Sequence, residues 1–129
     1  MKAAIYIGSF FDAKLKLGVE GRREAFDKLR QSISKTDKVF WFHCASLGEY
    51  EQGLPVFERL KKQQPDYKVV LSFFSPSGYE IRKNAPIADV VVYLPIDTPK
   101  NAKAFLKLVH PDFIVIVKYE RWINYLKVI

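Results

Sequence analysis

Four apolar runs, at 38–44, 67–74, 89–93 and 113–117, alternate along this chain with segments of helical hydrophobic period. The first is rich in aromatics and has no polar alternation, so it reads as a strand buried on both faces. Between the runs, a helix is predicted at 48–63 with Tyr50, Leu54, Phe57 and Leu60 facing inward, and Pro55 removing one backbone donor. A short helix follows Ser77. Thr98 caps a third, with Pro99 in its first turn, Ala102, Phe105, Leu106 and Val109 inward, and His110-Pro111 at its end. Strand, helix, strand, helix, strand, helix, strand predicts an α/β fold, a parallel sheet joined by right-handed crossovers. Upstream, residues 21–33 form a helix with Ala25, Phe26, Leu29 and Ile33 at core spacing, and 2–16 a looser one with Ile5, Phe10 and Ala13 on one side. Gly18 and Gly21 separate the two.

The ligand crevice of such a sheet lies beyond the carboxyl ends of its strands. The loops at 44–49, 75–78, 94–98 and 118–121 therefore belong to one edge. In Ser46-Leu47-Gly48-Glu49 the spacing is that of a capping box, with Ser46 taking a backbone N–H and Glu49 reaching back to the helix start. The same acid at a crevice, within hydrogen-bond reach of a substrate hydroxyl, has the place of a general base, and Gly48 lets a ligand come close to the backbone. Ser75-Pro76-Ser77-Gly78-Tyr79-Glu80 offers a second box between Ser77 and Glu80, or two hydroxyls and N–H groups for a phosphate or a sugar hydroxyl. It is not a P-loop, since no Gly-Lys-Ser/Thr occurs. Glu120 follows the apolar run 113–117, with Lys118 and Arg121 as ion-pair partners at hand. His43 and Cys44 are neighbours on a strand, so they point to opposite faces and make no nucleophile–base dyad. No metal-ligand spacing involves His43 or His110.

At 129 residues the chain is one domain, and 49% hydrophobic content suits a globular core. A single cysteine excludes an internal disulfide and fits a reducing compartment. The apolar run 3–11 is too short to span a bilayer and lacks a signal-peptide cleavage pattern. The net charge of +7 is uneven: residues 1–36 hold eight basic and four acidic groups, residues 37–129 thirteen and ten. A basic, apolar N-terminal segment suits an anionic membrane surface or a phosphorylated ligand. The uncapped end, Trp122 to Ile129, reads as the opening of a helix and leads us to expect a piece of a longer protein.

Several of these runs together resemble the N-terminal domain of the Kdo (3-deoxy-D-manno-octulosonic acid) transferases of lipopolysaccharide biosynthesis. They are Trp41 to Glu49, Ser75-Pro76-Ser77-Gly78, Leu94-Pro95-Ile96-Asp97, Glu120-Arg121-Trp122-Ile123-Asn124 and, upstream, Lys16 to Arg22. The resemblance covers nearly the whole chain. It implies a Rossmann-like parallel sheet with flanking helices, the N-terminal half of a GT-B glycosyltransferase. That half takes the lipid acceptor, and an absent C-terminal domain takes the CMP-Kdo donor. Glu49 matches the family's proposed base in Ser-x-Gly-Glu, and Glu120 the glutamate of Glu-x-Trp-Pro-Asn. Ser75, Ser77 and Gly78 fall on its Thr-x-Thr-Gly turn.

Serines here replace both threonines, and Ile123 replaces the proline. The family's N-terminal anchor is reduced here to residues 3–11. The site set this implies is Glu49 and Glu120 for catalysis, with Ser46, Gly48, Ser75, Ser77, Gly78, Lys118 and Arg121 on the acceptor. No cofactor and no metal is implied. The partners are CMP-Kdo, a phosphorylated lipid A precursor and an anionic membrane surface, with a place on the cytoplasmic face of the bacterial inner membrane. The rival readings are another GT-B lipid glycosyltransferase, a nucleotide-sugar epimerase half, or a basic α/β module that binds nucleic acid.

Overall fold

A computed structural model of the chain describes residues 24–96 and 98–117. Its elements follow in the order α1 (24–32), β1 (Val39–Cys44), α2 (Leu47–Gln63), β2 (Lys68–Phe73), α3 (Pro76–Arg82), β3 (Val90–Tyr93), α4 (Pro99–Val109) and β4 (Phe113–Ile116). The expected helix at 2–16, Asp97, and the segment 118–129 with Lys118, Glu120 and Arg121 lie outside the described residues.

All strand pairs are parallel, in the order β3-β2-β1-β4. The expected α/β class and Rossmann-like sheet are therefore observed, with each strand within two residues of its predicted bounds. Pairing sets Trp41 against Val70 and Ile114, and Phe42 against Leu71 and Val115. Because side chains alternate across a strand, this register sorts the core into two halves. On one face Val39, Trp41, Val70, Val90 and Val92 pack with Ala25, Leu29 and Ile33 of α1 and Ala102, Phe105 and Val109 of α4. On the other, Phe40, Phe42, Cys44, Leu71, Phe73 and Tyr93 pack with Tyr50 and Phe57 of α2 and Tyr79 of α3. The result is three layers. The helices following β1 and β2 cover one face, and the crossover from β3 to β4 covers the other.

The helices form where the apolar spacing predicts, because each buries a stripe at i, i+3 and i+7: Tyr50, Gly53 and Phe57 on α2, Ala102, Phe105 and Val109 on α4. Phe57 stacks on Phe42 with centroids 4.2 Å apart, and each such fully buried ring contributes about 1.5–3 kcal/mol of transfer free energy. Gly53 is where α2 comes down on β4, since a Cβ there would stand 2.6 Å from Val117 Cγ2. Thr98 caps α4 by accepting from the Asn101 N–H, and His110 ends it in the left-handed region at φ 36°.

Aspartates lock the amino edge of the sheet. Asp112 accepts from the Val39 N–H at 2.9 Å and Asp89 from the Val69 N–H at 2.7 Å. The two outer strands differ. β3 is buried throughout, whereas β4 is only half-buried and its Phe113 is 53% exposed.

Candidate active site at the carboxyl edge of the sheet

β1 is the central strand of departure. From it the chain moves through β2 to β3 on one side, then returns to place β4 on the other. That reversal opens a crevice between the carboxyl ends of β1 and β4, the place where open parallel sheets bind ligands. The Val117 N–H donates to the His43 carbonyl at 3.0 Å, so β4 leaves the sheet beside β1.

Ala45, Ser46, Leu47, Gly48 and Glu49 form the β1–α2 connection at this point. Glu49, half-buried in the first turn of α2, folds back and accepts from the Ala45 N–H through Oε2 at 2.7 Å. The predicted capping box is thus half made and displaced by one residue. Glu49 serves the residue before the N-cap, while the Ser46 hydroxyl makes no capping bond. The seat fixes one carboxylate oxygen against the loop, and Oε1 has no hydrogen-bond partner among the described residues. Gly48 is exposed and has open space where a side chain would stand.

The second predicted box is not formed. Ser75, not Ser77, is the N-cap of α3, accepting from the Ser77 N–H at 3.3 Å, and the two hydroxyls share a hydrogen bond at 2.7 Å. Pro76 decides this, because a proline fits the first helical turn and starts the helix two residues earlier. Glu80 therefore lies inside the helix, 3.9 Å from Lys83. Gly78 is buried, and a Cβ on it would stand 2.6 Å from Phe73 and 3.1 Å from the Leu47 backbone nitrogen. This glycine lets α3 press against the start of α2. The Ser75 N–H also donates to the Ala45 carbonyl at 2.8 Å, so the two loops are joined directly.

Ser46, Gly48, Glu49, Ser75, Ser77 and Gly78 are thus brought to one edge.

Beneath this edge lies a buried polar group that the sequence reading did not find. Ser72 Oγ accepts from Trp41 Nε1–H at 2.8 Å and shares a hydrogen bond with His43 Nδ1 at 2.8 Å. A serine facing a histidine across parallel strands was the available signal, hidden because their pairing depends on register. Cys44 is buried in the opposite half of the core, as its position on the strand requires. Tyr50, one residue past Glu49, has its phenol pushed above the usual range by burial, against the pull of Arg82.

A family model described as 3-deoxy-D-manno-octulosonic-acid transferase (kdotransferase) matches residues 20–129. The chain belongs to the Kdo transferase family. It is 30% identical over 94 residues to the 3-deoxy-D-manno-octulosonic acid transferase of Aquifex aeolicus, covering 72% of this chain and 26% of that protein. To the enzyme of the same name from Chlamydophila psittaci it is 29% identical over 109 residues, 83% of this chain and 25% of the relative. To that of Haemophilus influenzae it is 31% identical over 86 residues, 65% and 20% respectively. The chain thus spans about a quarter of the length of the first two relatives. The matched region corresponds to the family's N-terminal domain.

Proposed function

We propose that this chain is the acceptor-binding half of a GT-B glycosyltransferase that moves Kdo from CMP-Kdo to a hydroxyl of a phosphorylated lipid A precursor. The observation that carries the reading is the seat of Glu49: a carboxylate at the sheet's switch point, held by the Ala45 N–H through one oxygen. In the mechanism, Glu49 Oε1 takes the proton of the acceptor hydroxyl. That oxygen forms a bond to the anomeric carbon of Kdo, the bond from that carbon to the CMP phosphate breaks, and CMP leaves with the electron pair. Glu120, with Lys118 and Arg121, positions the acceptor or tunes Glu49. Ser46, Gly48, Ser75 and Ser77 face the acceptor's polar groups, and Gly78 serves them by letting the two loops meet. The donor site belongs to a C-terminal domain.

The acceptor is a lipid, so the reading places the enzyme peripherally, or through a short anchor, on the cytoplasmic face of the inner membrane. No helix among the described residues is long and apolar enough to cross a bilayer. The large rings of Phe40, Trp41, Phe42, Phe57, Phe73 and Phe105 are buried in the two core halves, so they offer no stacking platform for a nucleic-acid module.

Glu49→Gln in the full-length enzyme tests the assignment. Glutamine keeps an acceptor for the Ala45 N–H and removes the base. The expected result is a fall in kcat of about 10²–10⁴-fold with the acceptor KM little changed. Turnover within a few-fold of wild type would remove Glu49 from the base role.

A further inference from the structure

Among the described helices, α4 is the one without an acid. Its sequence, Pro99 to Val109, carries Lys100, Lys103 and Lys107 and no Asp or Glu. The other helices mix their charges and pair many of them: Arg30 with Asp27 on α1, Arg82 of α3 with Glu51 of α2, Lys83 beside Glu80 at the end of α3. The three lysines are exposed, and none makes an ion pair or hydrogen bond among the described residues. At a helical period they fall in a narrow stripe opposite Ala102, Phe105 and Val109, which are turned into the core. The stripe is about 10 Å long at 1.5 Å per residue. The exposed turn after α1, which carries Lys35, lies at the end of α4, where His110 Nε2 bonds the Ser34 carbonyl at 2.8 Å. Lysines at i, i+3 and i+4 repel one another in the free protein, by a few tenths of a kcal/mol per pair on a helix. An anionic plane laid against the stripe turns that repulsion into attraction.

We propose that this outward face of α4 is where the domain rests on an anionic bilayer surface. The proposal rests on the lipid-acceptor reading above and adds an orientation to it. α4 covers one face of the sheet, so lying on the stripe sets the sheet roughly parallel to the membrane. Lys100 then sits at the same carboxyl edge as the Glu49 loop. A lipid headgroup has to rise about one helix diameter, ~10 Å, to reach the strand ends, and then past the sheet to Glu49, which opens α2 on the far face. The attraction acts through charge alone, at about a fivefold gain per lysine close to an anionic surface, and salt screens it.

The experiment is co-sedimentation of the 129-residue chain with vesicles of phosphatidylglycerol in phosphatidylcholine, against pure phosphatidylcholine. Lys100→Gln/Lys103→Gln/Lys107→Gln is expected to weaken partitioning to the anionic vesicles by on the order of a hundredfold at low salt. Arg59→Gln/Lys62→Gln/Lys83→Gln removes the same charge from the opposite layer and is expected to change it less than about threefold. Both triples lie on the surface, and an unchanged melting transition establishes that each is folded. If the α4 triple does not fold, Lys103→Gln alone is read against Lys62→Gln. Equal losses in the two triples, no loss in the α4 triple, or tighter binding of a DNA oligonucleotide than of anionic vesicles through the same lysines would each overturn the proposal. Glu49→Gln is expected to bind vesicles like the wild type, so a failed base assignment and a failed docking face are read separately.

Discussion

The β1–α2 and β2–α3 loops leave neighbouring strands at the same edge, and each carries a serine and a glycine ahead of an acid. At the first, Gly48 meets nothing within 4 Å and the Ser46 hydroxyl makes no capping bond. At the second, Gly78 is wedged against Phe73 and Leu47 and Ser75 is spent on capping α3. One loop is held by its acid and left open. The other is packed tight at Gly78, keeps its Ser77 exposed, and serves as the wall against which the first is built. Similar residues thus do different work, because one loop borders the reversal of strand order and the other has its glycine pinned where α3 meets the start of α2.

Substitutions at corresponding positions of the two loops are expected to behave differently. The largest effect is expected at Gly78→Ala. Its Cβ meets a ring edge and a backbone nitrogen that cannot move aside cheaply, so a loss of about 1–3 kcal/mol is expected in chemical denaturation. Gly48→Ala, in open space in a first helical turn, is expected to stay within about 1 kcal/mol of wild type and on the stabilising side. Equal losses at the two glycines would erase the distinction between the loops.

Next come the serines. Ser75→Ala removes a cap and is expected to cost about 1 kcal/mol, whereas Ser46→Ala is expected to stay within about 0.5 kcal/mol, both read as shifts of the denaturation midpoint. In the full-length enzyme the order is expected to invert: Gly48→Ala raises the acceptor KM while leaving stability alone, and a KM unchanged within twofold (roughly, by the measure of lost uniform binding) would deny Gly48 its place at the acceptor.

The smallest effect is a control far from either loop. The Ser34 N–H and Lys68 hold the Asp37 carboxyl below its ordinary value. Its contribution is therefore present above the unfolded pKa and fades as pH falls through the lower folded one. Asp37→Asn is expected to flatten that part of the acid limb in a pH series of melting temperatures and leave the loop comparison untouched. An unchanged acid limb would show that this ion pair is screened out by solvent.

Much of this was legible along the chain. Strand and helix periods marked β1, α2 and α4 closely, because burial on both faces of a parallel strand and on one stripe of a helix leaves its mark locally. Thr98 and Pro99 announced the start of α4 for the same reason. The cap of α3 was misplaced because Ser75 and Ser77 both have the right chemistry, and Pro76 chose between them. The Trp41–Ser72–His43 group was out of sight, since two of its members meet only across strands.

The order of apolar runs and turn residues, by itself, determined that this chain makes a parallel α/β sheet with its loops gathered at one edge. Those are choices made over a few neighbouring residues, where period and propensity are enough. Which of two similar loops stays open, which oxygen of Glu49 is taken, and which helix face keeps its lysines unpaired were decided only in three dimensions. Each depends on residues far apart in the chain coming within a few ångströms, and that distance is set by strand register and helix packing, not by local pattern.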